Sequence, residues 1–197
     1  MRKKVQKKIF VLDGGSDEGS LIAALAESYK KGATEKGFEV VFSKVRDLSF
    51  DPILHKGYKE IQELEKDLVE QQKNLQWCDH FVLVTSVWWM SFPAKLKGFF
   101  DRALLPGFAF KYEEGALLPK GHMKGKSARV IYTQGAPLWM TGSFLLDGFY
   151  RNVKHGVLGF CGFGLIKRTA FGKADKADEE TRENWKRKVY ELGRKGE

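Results

Sequence analysis

The sequence predicts a doubly wound α/β fold, in which helices cover both faces of one parallel sheet. Five short apolar runs, rich in β-branched and aromatic residues, alternate with longer segments of helical period. The chain has 197 residues, 43% of them hydrophobic, which suits one domain over residues 1–197. Sheets of this kind bind ligands beyond the carboxyl ends of their strands, so the loops that follow the strands should carry the chemistry.

The predicted strands are the five apolar runs. Runs of this kind are typical of parallel strands that helices cover on both faces. The loops of interest then follow Asp13, Thr85 and Thr133, where three of the strands end. We place the strands at Ile9–Leu12, Val40–Phe42, Phe81–Thr85, Arg129–Thr133 and Leu165–Phe171.

Between the strands, apolar residues recur every three or four positions, as expected for helices with one buried face. The third helix begins at Pro93, since a proline in the first turn loses no hydrogen bond. A fourth, poorly periodic helical segment lies between Leu138 and Leu158. The apolar faces are Leu21, Leu25 and Tyr29 in the first helix; Ile61, Leu64, Leu68 and Leu75 in the second; Leu96, Phe99, Phe100 and Ala103 in the third; and Trp185, Val189 and Leu192 in a C-terminal helix.

The segment of about 105–126 interrupts this alternation. It holds two prolines and four glycines, which is too irregular for a helix. We interpret it as a loop inserted after the third helix, and loops of this length often build a site.

The charge and the cysteines narrow the function classes. A formal net charge of +9 suits a phosphorylated ligand. Because the basic residues are dispersed and not interleaved with aromatic residues, we expect no nucleic-acid partner. Cys78 and Cys161 have no ligand-type spacing to a histidine, so we expect no metal site and two reduced, partly buried thiols. No apolar run approaches the roughly 20 residues of a membrane span, which predicts a soluble cytoplasmic protein without membrane insertion.

The loop after the first strand has the sequence Asp-Gly-Gly-Ser-Asp-Glu-Gly-Ser and ends at Ser20. It delivers Gly19 and Ser20 to a helix N-terminus, where free amides and a hydroxyl can bind an anion. The motif is neither a Walker loop nor a complete GxGxxG pattern. An ordinary loop with Ser20 as helix cap is the alternative interpretation.

The loop after the third strand is unusually aromatic, with Trp88, Trp89 and Met90 between Ser86 and Pro93. A planar cofactor could lie against it and accept hydrogen bonds from backbone amides while the side chains exclude water. Alternatively, these side chains form a small hydrophobic cluster that packs the third helix. After the fourth strand, Gly135 and Ala136 would let the backbone approach a ligand closely, although a plain tight turn explains them equally well.

The run from Val84 to Phe110 contains Trp-Trp, Phe-Pro-Ala-Lys-Leu-Lys-Gly-Phe-Phe-Asp-Arg and Leu-Pro-Gly-Phe-Ala-Phe, and it resembles the NAD(P)H:quinone oxidoreductase family. Further similarity lies at Gly19–Ser20, at 126–133 and at 158–162. The resemblance implies a flavodoxin-like fold with strand order 2-1-3-4-5 and a bound flavin, FAD or alternatively FMN. It also implies ping-pong hydride transfer from NAD(P)H to a quinone, in a homodimer with active sites at the subunit interface.

Carried over by position, the family's flavin contacts fall in the three loops. Phosphates should lie at Gly19, Ser20 and Leu21, near Gly15, which stands where the family has a histidine. Main-chain amides of Trp88, Trp89 and Met90 should donate to the isoalloxazine, and no side chain is expected to act as a catalytic group because the flavin carries the chemistry. Trp139, Met140 and Phe108 should shape the acceptor pocket. The remaining flavin contacts implied by the resemblance are Ser86, Val87, Thr133, Gln134 and Gly135.

Two other functions fit the sequence. A regulatory flavoprotein subunit of a potassium-efflux system would bind a membrane transporter peripherally. An electron-carrier flavodoxin is disfavoured by the +9 charge and the long insert. Co-purification with a transporter or a stable semiquinone in a redox titration would separate them from an enzyme. The physiological acceptor and the preference between NADH and NADPH do not follow from the sequence.

Overall fold

The computed structural model describes residues 6–115, 119–141 and 147–197. Its strands are β1 (Lys8–Asp13), β2 (Glu39–Lys44), β3 (His80–Ser86), β4 (Phe110–Lys111), β5 (Lys120–Gly121), β6 (Ser127–Thr133) and β7 (Ile166–Phe171). Five of them form a parallel sheet in the order β2-β1-β3-β6-β7, while β4 and β5 form a separate antiparallel hairpin. Because β6 and β7 are the fourth and fifth strands of the large sheet, all five predicted strands and their predicted order are confirmed.

The helices alternate with these strands. They are α1 (Leu21–Glu35), α2 (Lys66–Trp77), α3 (Ala94–Ala103), α4 (Leu138–Thr141), α5 (Gly148–Arg151) and α6 (Glu179–Lys195). The segment predicted to be poorly periodic contains α4 and α5, and α5 continues as a π-helix over Asn152–Leu158. Pro93 is the N-cap of α3, so the helix begins one residue later than predicted.

The large sheet has a separate apolar layer on each face. Alternate residues of β1, such as Ile9 and Val11, pack with α1 and α6, whereas Phe10 and Leu12 pack with α2 and α3. All four side chains are fully buried. Helices on both faces therefore explain why these strands are apolar on successive residues.

Two glycines bring α1 and α6 into backbone contact. A Cβ built on Gly32 would lie 2.1 Å from the Tyr190 carbonyl oxygen, and one on Gly193 would lie 2.2 Å from the Tyr29 carbonyl oxygen. Real Cβ atoms do not approach other atoms so closely, so the contact requires glycine at both positions.

The second helix begins later than its apolar pattern predicted. α2 begins at Lys66, so Leu64 lies before it and Ile61 is 94% exposed. The preceding segment is held by the buried Arg102, which donates to the carbonyls of Asp51 and Glu63. Arg102 also pairs with the Glu65 carboxylate at 2.9 Å. These tertiary bonds fix an extended path where local spacing alone favours a helix.

The insert is a loop built around the hairpin of β4 and β5. Its aromatic residues differ in exposure: Phe110 is buried, Phe108 is half-buried against the core, and Tyr112 is 63% exposed. Phe110 therefore contributes no exposed apolar surface, since its ring packs on Phe160 at 4.8 Å between centroids. Cys78 and Cys161 are unpaired and more completely buried than predicted. Among the described residues, no helix is long and apolar enough to span a bilayer.

Candidate functional site

Three loops meet at the carboxyl edge of the sheet. The amide of Gly14, after β1, donates to the Val84 carbonyl at 2.8 Å. The amide of Val87, after β3, donates to the Thr133 carbonyl at 2.9 Å. The three segments predicted to hold a ligand are thus fastened to one another, at the place where a doubly wound sheet binds its ligand.

A buried ion pair shapes the first loop. The Asp13 carboxylate is fully buried and accepts from the Gly15 amide at 2.9 Å and from Arg46 Nη1 at 2.6 Å. Burial opposes the charged form of Arg46, but the hydrogen bond and charge of Asp13 outweigh it and raise the pKa of Arg46. A side chain at Gly15 would lie 3.0 Å from Ile22 Cγ2, so the loop lies closely against α1.

The N-terminus of α1 follows this loop. Ser20 caps it: its Oγ accepts from the Ala23 amide at 3.2 Å and donates to the Asp17 carbonyl at 2.7 Å. The interpretation of Ser20 as a helix cap is therefore confirmed, and the Leu21 amide is one of the first-turn donors that no helical bond uses. Glu18, which would repel a phosphate, is exposed and pairs with Lys44.

The Trp-Trp-Met segment is a tight turn with an unusual backbone. Trp88 and Ser91 exchange backbone hydrogen bonds of 3.0 and 2.8 Å, while Trp89 and Met90 between them have φ of +52° and +57°. This is the geometry of a type I′ turn, which favours glycine or asparagine. Two large side chains here are strained, and strain of this kind is concentrated at functional sites.

The side chains of the turn point away from the core. Trp88 is 50%, Trp89 101% and Met90 62% exposed, so the alternative that they pack α3 as a hydrophobic cluster is wrong. The Trp88 amide donates to Ser91 within the turn, whereas the amides of Trp89 and Met90 donate no hydrogen bond to the described residues. An exposed ring beside two free donors is an arrangement that suits a flat, hydrogen-bonding ligand.

The loop after β6 forms the third side. Thr133 and Gln134 are buried, and the Gln134 amide donates to the Phe171 carbonyl at 2.9 Å. Beyond it, Trp139 and Met140 on α4 are 79% and 45% exposed. The structure thus places two of the three residues of the predicted acceptor pocket, Trp139 and Met140, near the third loop. The other residue, Phe108, belongs to the insert and packs against the core.

Some residues that organise this edge were missed in the sequence. Asp147 is buried, caps α5, accepts from Tyr132 Oη at 2.9 Å and pairs with Arg168. Arg46 and Asp147 come from segments far apart in the chain and match no motif. The only local signal for the Asp13–Arg46 pair was the position of Asp13 at the end of a buried strand.

Comparison with known proteins agrees with this geometry. The model of a family described as having the flavodoxin-like fold matches residues 7–192. A ribosyldihydronicotinamide dehydrogenase [quinone] of Pongo abelii is 30% identical over 161 residues, which cover 80% of this chain and 68% of that protein. The chain belongs to the NAD(P)H:quinone oxidoreductase family of flavodoxin-like proteins.

Two further matches in this family support the fold and the cofactor class. An FMN-dependent NADH:quinone oxidoreductase 2 of Bacillus cereus is 32% identical over 110 residues, 54% of this chain and 51% of that protein. The solved structure of an NAD(P)H:quinone oxidoreductase from Methanothermobacter marburgensis superimposes with a TM-score of 0.80 at 21% identity. It covers 98% of this chain and all of that one, so the quinone reductase resembles this chain in its whole fold.

Proposed function

We propose that this chain is a flavin-dependent oxidoreductase that passes hydride from NAD(P)H to quinones or similar aromatic acceptors. The observation that carries the proposal is the turn at Trp89 and Met90, which exposes two large side chains and two free amides at the ligand-binding edge of a family member. The side chains of this turn are exposed, so packing within the chain does not offset the free-energy cost of its strained backbone. Contacts with a bound flavin would offset that cost.

The three loops fit a flavin on their chemistry. At α1 the Leu21 amide and the positive end of the helix dipole can bind phosphate. The amides of Trp89 and Met90 are donors for the polar edge of an isoalloxazine. When bound, the flavin supplies the chemistry: it accepts hydride from the nicotinamide and passes it to the acceptor.

The chain's own residues bind and orient the reactants. We assign Ser86–Met90 to one side of the ring system and Thr133–Gly135 to the other. The rings of Trp88 and Trp89 exclude water there, and Trp139, Met140 and Phe108 shape the acceptor pocket. His80 is buried at the amino end of β3, away from the candidate site, where it contacts Ser127. We therefore propose that the protein acts by positioning the reactants and by preorganised hydrogen-bond donors.

We propose FAD as the flavin, on the positional match to the family. The FMN dependence named for the Bacillus cereus relative makes FMN the competing prediction. The two unpaired, buried thiols suit a reducing compartment, and we place the enzyme in the cytoplasm. We also propose a homodimer with the flavin near the subunit interface.

One experiment tests the enzyme assignment and the flavin together. Heat releases the flavin from purified protein, and chromatography identifies it as FAD or FMN. The holoprotein is then assayed with NADH and NADPH against menadione, and the double-reciprocal plots should be parallel, as in a ping-pong mechanism. Protein that contains no flavin, takes none up and oxidises neither donor would contradict the proposal.

A further inference from the structure

A groove runs along the outer edge of β7. It consists of two adjacent cavities of about 380 and 430 Å³, which share Leu138, Ala170 and Lys188 in their walls. The first is further lined by Pro137, Trp139, Phe171, Gly172, Lys173 and Trp185, and the second by Arg129, Tyr132, Arg168, Thr169 and Leu192. We call this feature the edge groove.

The edge groove is strongly basic. Lys173 and Lys188 are exposed and have no ion pair among the described residues. Arg168 is partly neutralised by Asp147, and the buried Arg129 lies 3.6 Å from the Glu197 carboxylate. Arg129 also has a buried Nε without a hydrogen-bond partner, and burial lowers its pKa. Four cations against two carboxylates favour an anionic ligand.

The groove also offers aromatic surface. Trp185 stacks on Phe171 with ring centroids 4.8 Å apart and an interplanar angle of 23°. Lys188 lies over the Phe171 ring, 5.6 Å from its centroid. Trp139, in the wall of the same cavity, is 79% exposed and can stack on a flat group. A ligand with one aromatic ring and several phosphates would use both features.

The groove begins where the candidate flavin site ends. Trp139 belongs both to the predicted acceptor pocket and to the groove wall. The two regions are joined by backbone bonds, from the Lys173 amide to the Ala136 carbonyl at 3.3 Å and from the Ala174 amide to the Gln134 carbonyl at 3.1 Å. The groove therefore adjoins the candidate flavin site.

We propose that the edge groove binds the adenosine 2′-phosphate end of NADPH, so that the enzyme prefers NADPH to NADH. The inference rests on the proposed function for the identity of the donor. Lys173 and Lys188 pair with phosphate oxygens, and Trp139 stacks on the adenine. NADH lacks the 2′-phosphate and gains less from the same lysines. Lys173 and Lys188 are specificity-determining residues in this assignment.

Binding without turnover tests the groove directly. Isothermal titration calorimetry compares adenosine 2′,5′-bisphosphate with 5′-AMP on the holoprotein. The bisphosphate should bind more tightly, and K188Q or K173Q should weaken it by about fivefold each, the order expected for one solvent-exposed ion pair. The affinity should also fall with added NaCl. K195Q removes the same charge from α6 outside the groove and should change neither ligand's affinity.

Turnover measurements distinguish a wrong assignment of the groove from a wrong assignment of the enzyme activity. K188Q should raise KM for NADPH with kcat unchanged, and should leave kcat/KM for 1-methyl-1,4-dihydronicotinamide, which has no phosphate, as in the original protein. Equal binding of bisphosphate and 5′-AMP, or an unchanged bisphosphate affinity in both lysine variants, would overturn the groove assignment. Absence of turnover with every donor would instead refute the proposed function, while the calorimetry still decides whether the groove binds phosphate.

Discussion

Trp89 combines two features that do not stabilise the isolated chain. Its ring is fully exposed, and its backbone has φ of +52°, which costs a non-glycine residue roughly 1–2 kcal/mol. A residue kept for packing would be buried in an unstrained conformation. The position therefore points to a contact outside the chain's own core, which we assign to the flavin.

Two substitutions at Trp89 separate the ring from the backbone. W89A removes the ring and should change the free energy of unfolding of the flavin-free protein little, because the ring is exposed. W89G also relieves the positive φ and should be more stable than W89A by about 1 kcal/mol. Both should weaken flavin binding. Urea denaturation of the flavin-free protein and fluorescence titration with flavin measure the two effects.

W185A is the matched control for the Trp89 variants, because Trp185 is half-buried and stacked on Phe171. It should lower the stability of the flavin-free protein by about 2–4 kcal/mol while flavin affinity changes little. If W89A were as destabilised as W185A, or if it bound flavin with the original affinity, our placement of the isoalloxazine against this turn would be wrong.

His80 is the buried titratable residue with the clearest consequence for stability. It is 3% exposed, its Nδ1 lies 2.8 Å from Ser127 Oγ, and its Nε2 has no hydrogen-bond partner within the described part of the chain. Burial, with the positive charges of Lys7 and Arg129, lowers its pKa to about 3. The folded protein therefore binds no proton at His80 at a pH where the unfolded chain already does.

This difference makes the fold sensitive to mild acid. The contribution of His80 is fully present above its unfolded pKa of about 6.5 and is lost as the pH falls toward about 3. Between pH 7 and pH 5, wild-type protein should lose about 2 kcal/mol more unfolding free energy than H80Q, whose amide does not titrate. Urea denaturation at several pH values checks this. Parallel pH profiles would show that His80 titrates normally.

At the scale of elements, the contact between α1 and α6 depends on glycine. G193A gains up to about 1 kcal/mol in helix propensity but forces a Cβ onto the Tyr29 carbonyl, 2.2 Å away. Separating the two backbones should dominate, for a net loss of about 2 kcal/mol in unfolding free energy. E191A, on the exposed part of the same helix, should be nearly neutral. Thermal melts of both variants test this expectation. A G193A variant more stable than the original protein would show that α6 can shift away from α1 without loss of stability.

Elements were predicted well wherever local pattern and tertiary environment agree. The apolar runs of β1 and β3 are buried on both faces, so their composition alone identified them. The pattern failed between Ile61 and Lys66, because Arg102 contributes bonds that no spacing in that segment reveals. Local pattern also could not reveal the burial of Phe110, which depends on Phe160, fifty positions along the chain.

At the scale of the whole molecule, the exposed side chains at the carboxyl edge predict self-association. Trp88, Trp89 and Met90 on one loop and Trp139 and Met140 on another leave a large apolar surface for a 22.5 kDa chain. Burying such a surface against a second copy is the common solution for soluble proteins. Light scattering after size exclusion should give twice the chain mass. W88E should lower the mass toward that of one chain, and a fully active monomer at nanomolar concentration would refute the dimer.

The sequence by itself determined the fold class and the three loops of the candidate site, because these depend on periodicity and on motifs within short segments, while its resemblance to a known family implied the strand order. Trp88–Met90 were identified in this way. Only the tertiary structure shows that Trp89 is fully exposed at positive φ and that Asp13 is paired with Arg46. It also decided that Lys173 and Lys188 share one groove. The physical reason is that burial, ion pairing and backbone strain depend on partners distant in sequence, which a local pattern cannot specify.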